Sequence, residues 1–226
     1  TEIYTLSLHD ALPICNILLQ GQTSIDSDSP TRALTSGSGN ITLLTNNLVH
    51  TNSNKLNLTT TGVLTFAPYG AAWTDYGGTL NFAGSFSGQN FTGSGDAGGL
   101  NINNFSSLGG LTLGKAGTTT GIAIDTALSL AGPISLNGGN LALNKAVTTR
   151  DTLSLKSSGI ITQSSDQTDA ITANSLLLSG GNVTLNNIYN NVNTLAANGV
   201  SGLAYTNVGA LVIGKVGITN GVSATG

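Results

Sequence analysis

Charge is nearly missing from this sequence. Only 8% of its 226 residues are Asp, Glu, Lys or Arg, and seven basic residues stand against ten acidic ones. Without a basic cluster there is no electrostatic footprint for a phosphate backbone or an anionic lipid surface, so neither is expected as a partner. No run of about 18 apolar residues occurs, so no membrane-spanning helix is predicted. A single cysteine excludes a disulfide scaffold and suits a long protein exported unfolded. Methionine is absent and the C-terminus stops in mid-pattern, so both ends read as cut.

The first stretch needs separate treatment. Residues Glu2 to Ile14, EIYTLSLHDALPI, resemble one reading frame of a short-read sequencing adapter. Residues 1–15 are therefore read as adapter-derived and set aside as one sets aside a tag. Without Glu2 and Asp10 the remainder carries eight acidic residues, no glutamate and a single histidine, His50. The interpretable chain is residues 16–226, one repeat region.

What is abundant is small and aliphatic. Glycine reaches 31 copies and hydrophobic residues 39%, with Asn, Ser and Thr filling most other positions, a composition for many short strands and tight turns. Apolar–small–apolar triplets recur throughout, among them Ile41-Thr42-Leu43, Leu64-Thr65-Phe66, Leu111-Thr112-Leu113, Leu141-Ala142-Leu143, Leu153-Ser154-Leu155 and Val183-Thr184-Leu185. Period two means strand. Gly-Gly, Gly-Asn and Asn-Asn steps between them mark turns.

Spacing adds the architecture. Leu100, Ile122, Leu141, Ile160, Val183 and Leu203 follow one another at 19 to 23 residues, and Ile134, Leu153 and Leu176 repeat the 19 and 23 steps. Two strand sets advancing together are what a solenoid requires, because each coil places equivalent side chains above those of the coil before. Coils of about twenty residues, about ten of them, are predicted, giving a rod of roughly 50 Å at ~4.8 Å per coil. Asn at equivalent turns, such as Asn140 and Asn182, is expected to form amide ladders along the axis. A longer repeat is superposed: FSSLGGLTLGK from Phe105 matches YTNVGALVIGK from Tyr205 at an offset of 100 residues.

LSLAGPISLNGGNLALNKAV, SLLLSGGNVTLNN and NNVNTLAANGVSGLAYTNVGALVIGKV resemble the repeat region of filamentous haemagglutinin family proteins, well over residues 95–226 and only in composition over 16–95. The resemblance implies an all-β, right-handed parallel β-helix at the bacterial cell surface. It implies secretion through an outer-membrane partner and adhesion to host or environmental surface glycans or proteins. The family's N-terminal secretion domain with its Asn-Pro motif is lacking here. A β-sandwich is the alternative fold, and a polysaccharide-binding or polysaccharide-degrading β-helix the alternative function.

Motifs that look chemical read better as structure, and no catalytic, cofactor or metal residue is assigned. Gly109 to Lys115 spells G-x-x-x-x-G-K, but Ala116 replaces the magnesium-binding hydroxyl and the middle is a strand triplet. Gly93 to Gly98 spells a dinucleotide fingerprint but precedes the strand Leu100-Asn101-Ile102 rather than a helix. Glycoside hydrolysis needs two carboxylates about 5 to 9.5 Å apart. The only close pairs are Asp26 with Asp28 and Asp166 with Asp169, in Ser-rich segments expected to be solvated loops. His50 has no metal-ligand or triad partner nearby. The one aromatic cluster, Tyr69, Trp73 and Tyr76, is the candidate ligand-binding site, able to stack on a sugar ring if exposed. Otherwise it is a packed loop.

Overall fold

The computed structural model describes residues 16–22, 25–26, 33–49, 55–74, 78–85, 88–92, 99–102 and 105–225. The adapter-like segment, His50, Asp28, Tyr76 and the glycine-rich stretch 93–98 lie outside the described residues. The chain is a parallel β-solenoid of about seven turns, each of about 23 residues. At ~4.8 Å per turn the stack is about 34 Å long. Apart from one 3-10 turn, Phe105–Ser107, every described element is a strand.

Two stacked sheets carry the solenoid. The first runs through Ile17–Gly21, Ile41–Thr45, Val63–Ala67, Gly110–Leu113, Ile134–Gly138, Thr152–Ser157, Ile171–Ser179, Asn191–Val200 and Val212–Ile213. The second includes Ala33–Thr35, Lys55–Thr59, Thr79–Ser85, Gly121–Ile124, Leu141–Leu143, Ile160–Gln163, Asn182–Leu185 and Gly202–Tyr205. A shorter third side is built by Leu128–Leu130, Val147–Thr149 and the leading residues of Ile171–Ser179 and Asn191–Val200. This parallel register excludes an antiparallel sandwich.

The triplets form these strands because alternate residues point inward. In the first sheet Ile41, Leu64, Leu111, Ile134, Leu153, Leu176 and Leu195 make one continuous column, and Leu43, Phe66, Leu113, Leu136, Leu155, Leu178 and Ala197 make the next. All are buried. Leu141, Ile161 and Val183 stack in the same way in the second sheet.

Four expectations are corrected. The turn is longer than twenty residues because the N-terminal steps, Ile17 to Ile41 to Leu64, are 24 and 23. The step from Leu64 to Leu111 spans 47 residues, which admits an antiparallel excursion: Gly88–Thr92 pairs with both Thr79–Ser85 and Gly99–Ile102. Leu100 consequently pairs with Leu56, while Ile122 stands beside Leu80. At the next coil Ile161 rather than Ile160 occupies the inward column, and Ile160 is exposed. Since Ile160 falls between Asn140 and Asn182, those amides make no ladder. Asn140 Oδ1 instead accepts the Ile160 N–H at 3.1 Å.

Corners are closed by buried hydroxyls. Thr60 Oγ1 donates to the Gly39 carbonyl one coil earlier and accepts the Gly62 N–H at 2.9 Å. Ser157 does the same with the Gly139 carbonyl and the Gly159 N–H, and Thr149 with the Gly132 carbonyl and the Asp151 N–H. A buried amide also enters a column: Asn190, fully buried, falls in the column of Leu128, Val147 and Ile171. Its Oδ1 accepts the Ile171 N–H at 2.8 Å and Gln163 Nε2 at 2.7 Å. Its Nδ2 donates to Gln163 Oε1 at 3.0 Å and the Leu185 carbonyl at 3.1 Å. All four hydrogen-bonding positions of the amide are filled, which is what makes its burial tolerable.

Removing one link of a column tests this packing. Leu153→Ala should destabilise the fold by about 2–5 kcal/mol through lost contacts and a residual cavity, whereas outward Ser154→Ala should stay within about 0.5 kcal/mol. Asn190→Ala should cost about 1–3 kcal/mol by stranding the Gln163 amide and the Ile171 N–H. Urea unfolding followed by circular dichroism reads all three.

Candidate functional site

Loops stacked on one corner build the most elaborate surface feature. Gln22, in the first coil, receives Asn46 Nδ2 on its backbone carbonyl at 2.9 Å, and Asn46 Oδ1 accepts the Gly70 N–H at 2.7 Å. The next loop outward, residues 68–74, carries Tyr69 and Trp73. Above it, residues 114–120 form a ledge held by hydrogen bonds that include Trp73 N–H to Thr120 Oγ1 at 2.9 Å, Thr119 N–H and hydroxyl to the Ala71 carbonyl at 2.7 and 3.2 Å, and Lys115 Nζ to the Tyr69 carbonyl.

Two residues of the aromatic cluster, Tyr69 and Trp73, thus take supporting positions. Trp73 is only 2% exposed and lies tilted on Phe66, ring centroids 5.0 Å apart. Its indole belongs to the core and offers no exposed face. Tyr69 is half-buried, its hydroxyl accepting Gln22 Nε2 at 3.1 Å. Tyr76 lies outside the described residues.

Beyond the ledge the corner tightens abruptly to Gly138-Gly139, Ser158-Gly159 and Gly180-Gly181. The overhang leaves two adjoining concavities. One, about 290 Å³, is lined by Thr79, Thr119, Asn140, Ser158, the apolar Ile122 and Ala142, and glycine backbone. The other, about 360 Å³, is lined by Lys115, Thr118, Asn137, Lys156, Ser157 and Ser179 among others. Thr119 and Ser158 line both, so the two form one groove. Gly139 is required beneath it, since a Cβ there would run into the Thr119 carbonyl oxygen. No carboxylate lines either concavity. Such a groove offers hydroxyls, amides and two ammonium groups to a hydroxyl-rich ligand carrying negative charge.

The G-x-x-x-x-G-K segment behaves as strand and turn: Gly110–Leu113 is a strand, and Gly114 turns the chain at φ +73°. Lys115 was visible in sequence only as part of that near-miss; Lys156 carried no signal, because nothing local places it beside the ledge.

The carboxylate pair is divided by structure. Asp166 is exposed and accepts the Thr168 N–H at 3.0 Å and the Thr168 hydroxyl at 2.9 Å. These bonds, the backbone one foremost, hold its carboxyl below the ordinary value. Asp169, expected in a solvated loop, is instead buried and paired with Lys145 at 3.3 Å. The backbone around it is tied down: Asn187 Nδ2 donates to the Asp166 carbonyl at 2.6 Å, and Gln163 Nε2 to the Asp169 carbonyl at 3.1 Å. Among the described residues no group of three or more His, Cys, Asp or Glu could hold a metal ion.

The fold and groove define a β-solenoid with a groove at one corner bordered by Lys115 and Lys156. Comparison with protein-family models, with curated proteins and with solved structures finds no match.

Two measurements probe this corner. Trp73 is the sole tryptophan, so its fluorescence reports on the ledge: Gly139→Val should lift residues 114–120 and shift the emission to the red. Because the folded-state pKa of Asp166 is depressed, its contribution is present above the unfolded value of about 3.8 and fades as pH falls below it. The Thr168 amide resonance should accordingly move only beneath that pH.

Proposed function

We propose that this chain is a structural and adhesive segment of a large secreted bacterial surface protein of the filamentous haemagglutinin type. On this reading it reaches the cell surface through an outer-membrane secretion partner and meets host or environmental surface glycans or proteins. The observation that carries it is the unbroken stacking of the first sheet from Ile17 to Ile213. A rod in which each coil contacts only its neighbours lengthens by repetition, which suits a shaft that projects from a cell.

A second reading, polysaccharide binding, is favoured by the groove. Its hydroxyls and amides match a sugar chain, and Lys115 and Lys156 match carboxylates on it. Polysaccharide cleavage has less support, since Asp166 caps its own turn and Asp169 is tied to Lys145.

Small-angle scattering and retention on immobilised glycans test both readings. An elongated particle with preference for polyuronates over neutral glucans is expected. Lys156→Gln should weaken retention about 2–5-fold, the effect of one partly exposed charge contact. A compact sphere overturns the shaft, and binding indifferent to Lys156 overturns the groove. Shortening of the glycans, lost on replacing Asp166 or Asp169, would establish the degrading alternative in place of both.

A further inference from the structure

The groove beneath the ledge belongs to interior coils, stacked on both sides, and it is closed at one end. Register along the first sheet sets Asn137, Lys156, Ser179 and Asn198 in one outward row, one residue per coil. The preceding place in that row falls to Gly114, which follows Leu113 opposite Leu136. There the chain leaves the sheet at φ +73° and enters residues 114–120. A Cβ on Gly114 would run into the Asn137 carbonyl oxygen, so the ledge starts hard against the row. Asn137 points outward yet is only 8% exposed, whereas Lys156 and Asn198, farther from the ledge, are exposed.

The ledge is braced as a wall. Thr118 Oγ1 accepts the Lys115 N–H at 2.9 Å, and the Thr118 N–H donates to the Lys115 carbonyl at 3.0 Å. Thr118 and Thr120 are buried. Behind them, the loop of residues 68–74 holds Thr120 through the Trp73 N–H and Lys115 through the Tyr69 carbonyl. A cleft that takes the middle of a polymer is open at both ends. Here one end of the row meets a fixed wall, and the other runs on past Ser179 to Asn198.

We infer that the groove captures the end of an acidic glycan chain, with the terminal sugar against the ledge and the next sugars laid along the row. This rests on the polysaccharide-binding reading and deepens it, because a chain end is a different ligand from a chain interior. The coil rise of ~4.8 Å is close to the length of one sugar in an extended chain, so successive sugars meet successive coils. Lys115 stands at the wall beside the terminal carboxylate, one of its three N–H bonds being used by the Tyr69 carbonyl. Lys156, one coil beyond Asn137, meets the second sugar, and Ser179 the third. With no carboxylate lining either concavity, nothing in the lining opposes the negative charge.

β-1,4-Linked oligomannuronates of one to eight sugars, added to the full chain, test it by amide-resonance titration and light scattering. One protein per glycan chain is expected at every length. Affinity should rise up to about three sugars, as Lys156 and Ser179 are reached, and then level off. A bulky fluorescent cap on one terminus should abolish binding, and the same cap on the other terminus should leave it intact. Lys156→Gln should remove the gain on going from one sugar to two, a step of about 2–5-fold. Lys115→Gln should weaken binding at every length by a similar factor.

A number of proteins per glycan that grows with its length overturns end capture, as does binding that tolerates a cap on either terminus. A gain from the second sugar that survives Lys156→Gln overturns the placement along the row. Each of these leaves the polysaccharide-binding reading standing, whereas failure of every oligomer to bind removes that reading and the inference with it.

Discussion

A polypeptide wound into coils must satisfy each strand's backbone from the coils above and below. That condition governs everything else in this protein. Equivalent residues must recur at the same height on the same side, or one coil's hydrogen bonds and side chains find nothing to meet. The columns through Leu64, Leu111, Ile134 and Leu153 meet this demand with aliphatic side chains of similar size. Scarcity of charge follows, because like charges on stacked coils would sit about 5 Å apart. Where a polar residue does enter a column, at Asn190, its amide is fully occupied by Gln163 and backbone groups.

The same condition shapes the corners. A Ser or Thr hydroxyl that bonds one coil back and two residues forward fixes both the turn and its height, as at Thr60, Thr149 and Ser157. Corners can then be tight, as after Ile134–Gly138, or extended, as at residues 68–74 and 114–120. The groove exists because extended loops of early coils overhang tight turns of later ones. Its hydroxyls and amides come from the residues that tight turns demand, and its charge from two lysines, Lys115 and Lys156.

Repetition also explains why the tandem copies diverge. Leu111 aligns with Leu211 in sequence, yet Ile213 stands over Leu195, two residues along. In the interior, neighbours on both sides enforce the register. At the last rung only Asn191–Val200 does so, and the chain settles with Val222–Ala224 beside Val212–Ile213 on the same strand. One-sided pairing is a weaker constraint than two-sided pairing, and the exposed apolar surface there is its consequence.

Sequence alone determined strand type, solenoid class and the inward identity of the triplets, because period-two alternation and recurrent spacing are local properties that any reader of the chain can count. It determined the strand-and-turn reading of the G-x-x-x-x-G-K segment for the same reason. Tertiary structure decided the rest. Ile161 rather than Ile160 faces inward because pairing with Leu141 and Val183 selects the register, and both candidates are isoleucine. Trp73 became a core residue, not a binding surface, because Phe66 and Thr120 come from other strands and loops. Lys115 and Lys156 share a groove because residues 41 positions apart are two coils apart, and distance through a solenoid is measured in turns, not along the chain.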